Sequence, residues 1–201
     1  MEFTGTFFLV LTVGLVTIPD KLGPFAALAI GGILGIMVYV GGHVSGAHYN
    51  PAVTLTMFLR RKLKHLDFVS YLLSQLLGAT LGALLTLYLL NSSGSVPAQI
   101  NLLRAIICEW LFTFALVLTV LSVAAARSTA GNSYYGAAIG GIVAVGVLTV
   151  GEISGAVFNP AVALATAILG VLSWGDFFTY TITQLFAAIV AGVVFRMTYL
   201  E

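Results

Sequence analysis

The sequence predicts an all-α membrane protein, with six transmembrane helices and two re-entrant half-helices arranged as an inverted repeat. Three observations lead to this prediction. Of the 201 residues, 60% are hydrophobic and only 7% are charged, whereas ordinary soluble domains carry about 25% charged residues. Six separate stretches are apolar and long enough to span, or nearly span, a bilayer core of about 30 Å. A nine-residue stretch also occurs twice, once in each half of the chain.

The six predicted spans are separated by short polar breaks. A helix needs about 20 residues to cross the bilayer core, and the first span is short, so we expect Glu2 to enter the membrane with it. With both termini in the cytoplasm, six of the eight Lys and Arg residues lie inside, and only Lys21 and Arg104 lie outside. We therefore expect an integral protein of the plasma (cell inner) membrane with cytoplasmic termini. The spans are Phe3–Ile18, Phe25–Gly42, Phe68–Leu90, Leu102–Ala124, Tyr135–Gly151 and Phe177–Met197.

The repeated stretch covers residues 45–53 and 154–162 and is identical at seven of nine positions, including Ser-Gly-Ala and Asn-Pro-Ala-Val. Asn is a favoured N-cap, since its side-chain oxygen accepts a backbone N–H of the first helical turn, and Pro suits the next position. About ten apolar residues follow each motif, and ten helical residues rise about 15 Å, half of the bilayer core. We therefore predict two half-helices, Pro51–Arg60 and Pro160–Leu169.

With its side-chain oxygen used as the cap, each motif asparagine, Asn50 or Asn159, is expected to turn its amide N–H groups outward. The two asparagines are 109 residues apart, and Tyr71 and Gln75 recur at the same spacing. Each half contains three spans, an odd number, so the halves have opposite orientations in the membrane. Inverted repeats with broken helices place a polar site near the midplane, where two helix N-termini, each carrying about +0.5 charge, would face each other. We expect one channel domain over 1–201, with repeats over about 1–94 and 102–201.

These motifs resemble those of the major intrinsic protein family, the aquaporins and aquaglyceroporins, and the resemblance covers essentially the whole chain. It rests on residues 42–54 and 153–161, each containing Ser-Gly-Ala and Asn-Pro-Ala. The resemblance implies that Asn50 and Asn159 donate hydrogen bonds to solutes passing in single file, and that the facing helix dipoles repel cations. It also implies a homotetramer with one pore per subunit. The pore-lining motif residues would be Asn50, Pro51, Ala52, Asn159, Pro160 and Ala161.

The family's narrowest point lies on the extracellular side of the paired asparagines and consists of four positions. Water-selective members usually have an aromatic residue, a histidine, a small residue and an arginine there. Val162 stands in the place of the arginine, so the filter lacks the five fixed donors of a guanidinium that would help replace a solute's hydration. We expect a wider, wholly apolar selectivity filter that penalises ions and admits larger neutral molecules. The resemblance places the filter at Ile30, Val147, Ala156 and Val162.

Several other polar residues fall inside the predicted membrane segments. Glu2 recurs as Glu109, and carboxylates at this depth suggest by default a function such as a proton relay. Their symmetric placement, and the family's use of this Glu to accept backbone N–H groups of the re-entrant loops, favour scaffolding instead. Gln75 and its repeat Gln184 are expected to join helices by hydrogen bonds. His43 and His48 are candidates for pH sensing or metal binding, but we expect both to pack and hydrogen-bond in the loops.

The sequence thus predicts a passive channel for water and small uncharged solutes, including neutral metalloids such as arsenite and methylated arsenicals, glycerol and urea. The main alternative is a secondary transporter, since transporters are also built from inverted repeats. A further alternative is a purely structural role at a junction, with the pore occluded. An enzyme is disfavoured because no Ser/His/Asp set or metal-spaced cluster of His, Cys and Glu occurs at one depth. We expect no cofactor, no metal and no nucleic acid; the expected partners are neutral solutes, membrane lipid and further copies of the chain.

Overall fold

The computed structural model describes residues 1–19, 22–97 and 99–199. Asp20 and Lys21, which belong to the predicted polar break Pro19–Lys21 between the first two spans, lie outside the described residues. Within these ranges the structure contains helices and no β-strand, and the order of two long helices, a short helix and a long helix occurs twice. The α5 helix continues into a π-helical turn at Leu121–Ala125. The helices are α1 (Glu2–Thr17), α2 (Phe25–Ser45), α3 (Pro51–Leu59), α4 (His65–Leu90), α5 (Leu102–Val120), α6 (Tyr135–Ser154), α7 (Pro160–Ile168) and α8 (Trp174–Tyr199).

Five of the long helices are long and apolar enough to cross a membrane, and α1, with 16 residues, is a shorter apolar helix. Six spans were expected, so α1 is the one that falls below the usual length. The helices extend up to three residues beyond the predicted spans, for example at His65 and Ser45. The reason is that helical hydrogen bonding continues through polar residues at the ends, which a search for apolar runs excludes.

The two halves meet along α2 and α6. Gly31 on α2 lies against Gly140 and Ala144 on α6, whereas Gly35 lies against Gly136. Residue numbers therefore rise on one helix as they fall on the other, and the two helices run antiparallel. The backbones approach closely here, since a Cβ atom on Gly35 would lie 2.8 Å from the Gly136 carbonyl oxygen. Small residues that allow such approach are typical of helix contacts in membranes.

The short helices α3 and α7 have nine residues each, one fewer than predicted. Asn50 and Asn159 are their N-caps, both with φ −155°, and each side-chain oxygen accepts a backbone N–H at 2.9 Å, from Ala52 and Ala161 respectively. A proline occupies the first position of each helix, where no N–H is needed. The local sequence therefore sets where each half-helix begins.

Apolar side chains cover much of the outer surface of the bundle, while several polar ones lie inside it. On α8, for example, Phe178 and Ile182 are exposed, and Gln184 is fully buried. On α5, Glu109 is also fully buried. This arrangement suits a protein surrounded by lipid hydrocarbon, in which polar groups must find their partners within the protein.

Candidate functional site

Two loops lead into the half-helices with nearly the same backbone. Gly46 and Gly155, which follow α2 and α6, have φ values of 81° and 82°. A left-handed conformation costs a residue other than glycine about 1–2 kcal/mol, so contacts elsewhere must hold such residues in place. The loops contain four of them, Ala47, Tyr49, Ala156 and Phe158, with φ of 51°, 48°, 52° and 51°.

The carboxylate of Glu109 holds the second loop. It accepts hydrogen bonds from the backbone N–H groups of Val157 and Phe158 at 3.0 and 2.8 Å. It also accepts the hydroxyl of Ser154 and the side-chain amide of Gln184, each at 2.8 Å. A carboxylate has about four acceptor positions, and these four donors occupy them. The side chain thus joins α5, α6, α8 and the loop at one point.

Glu2 holds the first loop with the same set of bonds. Its carboxylate accepts the backbone N–H groups of His48 and Tyr49 at 3.0 and 2.7 Å. The hydroxyl of Ser45 donates to it at 2.6 Å and the side-chain amide of Gln75 at 2.8 Å. Because all four acceptor positions are again in use, the geometry is that of a scaffold, and it offers no open position for a proton relay.

One tyrosine completes each anchor, and no pattern in the sequence assigned it this role. The hydroxyl of Tyr71 donates to the carbonyl oxygen of Ser45, and that of Tyr180 donates to the carbonyl oxygen of Ser154, both at 2.8 Å. These bonds satisfy carbonyls near the C-terminal ends of α2 and α6, where the helices have no internal donor to offer. The recurrence of Tyr71 as Tyr180 was the available signal.

The two predicted loop histidines differ in their placement. His48 is buried, and its Nδ1 lies 3.1 Å from the hydroxyl of Thr54. That hydroxyl donates to the carbonyl oxygen of Asn50 and accepts from Gln75, so Nδ1 of His48 is the donor. In the neutral imidazole, Nε2 is then an acceptor. The side chain of His43, in contrast, is exposed near the end of α2 and forms no hydrogen bond with the described residues. The expected packing of His43 in the loop is thus wrong, because its position on α2 faces away from buried Gly41.

The half-helices meet at their N-termini. The side-chain amide of Asn50 donates to the carbonyl oxygen of Phe158 at 3.0 Å, and the amide of Asn159 donates to the carbonyl oxygen of Tyr49 at 2.9 Å. The expectation that both N–H groups of each amide face outward needs correction, because one N–H of each amide donates to a carbonyl oxygen of the opposite loop. One N–H of each amide is left, which is enough to donate one further hydrogen bond.

A cavity of about 300 Å³ runs past both asparagines. Its lining includes Thr17 and Thr166 in addition to His48, but no Lys, Arg, Asp or Glu of the described residues. Among those residues no cluster of three or more His, Cys, Asp or Glu could hold a metal ion. The structure therefore brings the expected filter residues and the paired asparagines to one largely apolar space. The four filter positions that line it are Ile30, Val147, Ala156 and Val162.

Comparisons with known proteins agree with this geometry. The family model of the major intrinsic proteins matches residues 1–195. The chain is 35% identical over 179 residues to aquaporin NIP1-4 of Oryza sativa subsp. japonica, covering 84% of this chain and 65% of that protein. It is 36% identical over 151 residues to nodulin-26 of Glycine max, covering 73% of this chain and 55% of that protein. The chain thus spans less than two thirds of the length of these relatives.

A solved structure is similar as well. The X-ray structure of the aquaglyceroporin from Plasmodium falciparum superposes with a TM-score of 0.70 at 25% identity, covering 98% of this chain and 92% of that one. The predicted aquaporin-like fold of helices and half-helices is therefore confirmed. Together with the apolar helices, these matches make the chain an integral membrane protein. The chain belongs to the major intrinsic protein family.

Proposed function

We propose that this protein is a passive channel for water and small uncharged solutes. The observation that carries the proposal is a cavity that both capping asparagines and all four filter positions line together. A solute inside it meets one free amide N–H from Asn50 and one from Asn159, and the acceptor nitrogen of His48 on the side of the first loop. These few polar groups partly replace a solute's hydration, while the apolar lining offers no strong binding that would hold the solute back.

The outer collar, defined as Ile30, Val147, Ala156 and Val162, limits which solutes can pass. Aliphatic side chains supply neither charge nor donors, so ions and strongly hydrated solutes lose their hydration there without compensation. The N-termini of α3 and α7 add positive partial charges at the centre, which oppose cations. Neutral molecules with some apolar surface are favoured. The candidates are water, glycerol, urea, and neutral metalloids such as arsenite and methylated arsenicals.

The family membership supports further parts of the proposal. We propose that the chain works as a homotetramer in the plasma (cell inner) membrane, with cytoplasmic termini, one pore per subunit and lipid around it. The repeats over about 1–94 and 102–201 form one channel domain, and the protein transports solutes without enzymatic activity or a cofactor. The curated relatives are aquaporins and a nodulin, and the solved relative is an aquaglyceroporin.

The experiment is a light-scattering flux assay on vesicles reconstituted with the purified protein, using water and a size-graded panel of neutral solutes. A channel gives flux above that of empty vesicles that increases linearly with the gradient. Saturable flux with trans-stimulation would instead indicate the secondary transporter. Rapid water flux with exclusion of every larger neutral solute would contradict the wide apolar collar.

Val162→Arg tests the outer collar directly. The guanidinium brings bulk, charge and five donors into the cavity, so the glycerol-to-water permeability ratio should fall by about tenfold or more, the scale on which a small steric change alters selection in a tight site. Val162→Thr, which keeps the size of the side chain and adds no charge, is the matched control and should keep the solute range. An unchanged range in Val162→Arg would show that the pore is narrowest elsewhere.

A further inference from the structure

Half of the residues that line the cavity form identical pairs across the asparagine pair. A shift of 109 residues relates Ile30 to Ile139 and Val53 to Val162, and a shift of 107 residues relates Leu9 to Leu116. All of these residues line the cavity. The identical lining pairs are Leu9 and Leu116, Val13 and Val120, Ile30 and Ile139, Ala47 and Ala156, Asn50 and Asn159, and Val53 and Val162.

This correspondence includes the outer collar. Its members Ile30, Ala156 and Val162 have the counterparts Ile139, Ala47 and Val53, which are of the same residue types and also line the cavity. The fourth member, Val147, corresponds to Val38, which is again a valine but is buried on α2 and does not reach the lining.

The backbone presents both sets of side chains in the same way. The φ values of Ala47 and Ala156 differ by only one degree, 51° against 52°. The N-caps Asn50 and Asn159, three residues before Val53 and Val162, have ψ values of 119° and 118°. Ile30 and Ile139 lie on α2 and α6, which run antiparallel. The two side chains therefore face the cavity on opposite sides of the asparagine pair.

Given the channel function proposed above, we propose that Ala47, Val53 and Ile139 form an inner collar. This collar is a second solute-selecting constriction, located between the asparagine pair and the end of the cavity next to the first loop. A solute crosses two apolar collars of matching chemistry in series. Size selection therefore depends on the inner collar as much as on the outer one. Widening a single collar leaves the other in place and raises flux by at most about twofold, since two equal resistances in series add.

The inner collar differs from the outer one in one adjacent polar group. His48 lies on the same loop as Ala47, and its counterpart beside Ala156 is Val157; both line the cavity. A solute at the inner collar can donate to the imidazole, whereas the residue beside Ala156 at the outer collar is a valine. Thr166, one turn after Val162, already donates its hydroxyl to the carbonyl oxygens of Val162 and Ala163. Neutral solutes with a hydroxyl or amide donor, such as polyols and urea, are thus the class that the inner collar accepts most readily.

The test adds one methylene at each collar in turn. Val53→Leu and Val162→Leu are reconstituted separately, and the glycerol-to-water permeability ratio is measured in vesicles. Both variants should lower the ratio by a similar factor of about tenfold, the lower end of the effect of one methylene in a tight apolar site. Val145→Leu, the same change at a half-exposed position on the outside of α6, should leave the ratio unchanged.

A second pair of variants widens the collars instead of narrowing them. A gain in permeability from such a variant cannot be explained by misfolding. Ile30→Ala and Ile139→Ala should each leave a four-carbon polyol excluded, whereas the double variant should admit it. If Val162→Leu lowers the ratio and Val53→Leu does not, or if Ile30→Ala alone admits the larger polyol, the inner collar is refuted while the channel stands. Wild-type vesicles with no more flux than empty ones would refute the channel function itself.

Discussion

Beside Glu2, the side chains of His48 and Thr54 extend the hydrogen-bond network that holds the first half-helix. Beside Glu109, the corresponding positions are Val157 and Ala163, whose side chains cannot form hydrogen bonds. The three left-handed residues of each loop nevertheless have the same φ angles within about three degrees. The groups that both halves share, which are the carboxylate, its serine and glutamine donors, the tyrosine and the capping asparagine, are therefore sufficient to set the loop conformation. The polar layer of the first half is an addition to that anchor.

The aromatic residue before each asparagine shows a second difference. Tyr49 packs against Gly5, where there is no side chain to obstruct its ring. Phe158 instead stacks on Phe112, the counterpart of Gly5, with ring centroids 5.3 Å apart, and it lies against Gly146. Each half therefore fills a similar space with a different combination of large and small residues. Close packing conserves volume in the core and leaves the identity of the residues open.

The largest effect is expected when the carboxylate anchor is removed from the second half, which lacks the added polar layer. Glu109→Gln replaces an acceptor oxygen by an NH2 group, which leaves two of the four donors without an acceptor, at about 1–3 kcal/mol each. Glu2→Gln should be less destabilising, because His48 and Thr54 still tie the first loop to α3 and to Gln75. The measurement is the midpoint of thermal unfolding of the purified protein in detergent, with vesicle flux as a second readout. Equal losses in the two variants would show that the added polar layer supports nothing.

A smaller effect is expected at the seam where the halves meet. A Cβ atom on Gly140 would collide with the carbonyl oxygen of Gly31. A Cβ atom on the neighbouring Gly141, in contrast, would meet nothing within 4 Å among the described residues apart from the adjacent backbone of its own helix. Gly140→Ala should therefore destabilise the protein by about 1–3 kcal/mol through overpacking. Gly141→Ala is the matched control and should be neutral or stabilising, since Ala favours a helix over Gly by up to about 1 kcal/mol. Similar unfolding midpoints for both variants would contradict the close approach of α2 and α6.

The smallest effect is expected where the two halves differ in the aromatic residue before the asparagine, Tyr49 or Phe158. The hydroxyl of Tyr49 donates to the carbonyl oxygen of Met37 at 2.9 Å, so Tyr49→Phe should cost about 1 kcal/mol, the usual net contribution of a hydrogen bond. The reverse change, Phe158→Tyr, adds a hydroxyl where the ring already lies against Gly146 and should also lower the unfolding midpoint. A gain in stability from Phe158→Tyr would mean that a free acceptor lies within its reach.

Much of the site could be predicted from the sequence because it depends on neighbouring residues. The N-caps Asn50 and Asn159 and the prolines that follow them act within a single helical turn, so the half-helices began where expected. The recurrence of Glu2 as Glu109 also identified the two side chains at the centre of the anchors. Their partners Tyr71 and Tyr180 recurred at the same spacing, but a spacing does not say which carbonyl a hydroxyl reaches.

The sequence by itself determined the apolar spans, the caps and the pairing of the two halves, since hydropathy, capping and repeats are properties of residue order. Only the tertiary structure decided which groups meet across the halves. It directed one N–H of each asparagine to the opposite loop, turned His43 out of the bundle, and brought Ile139 and Val53 to the same cavity as Ile30 and Val162. These outcomes depend on distances between residues about 100 positions apart, which are set by the packing of α2 on α6 and are not encoded in any local pattern.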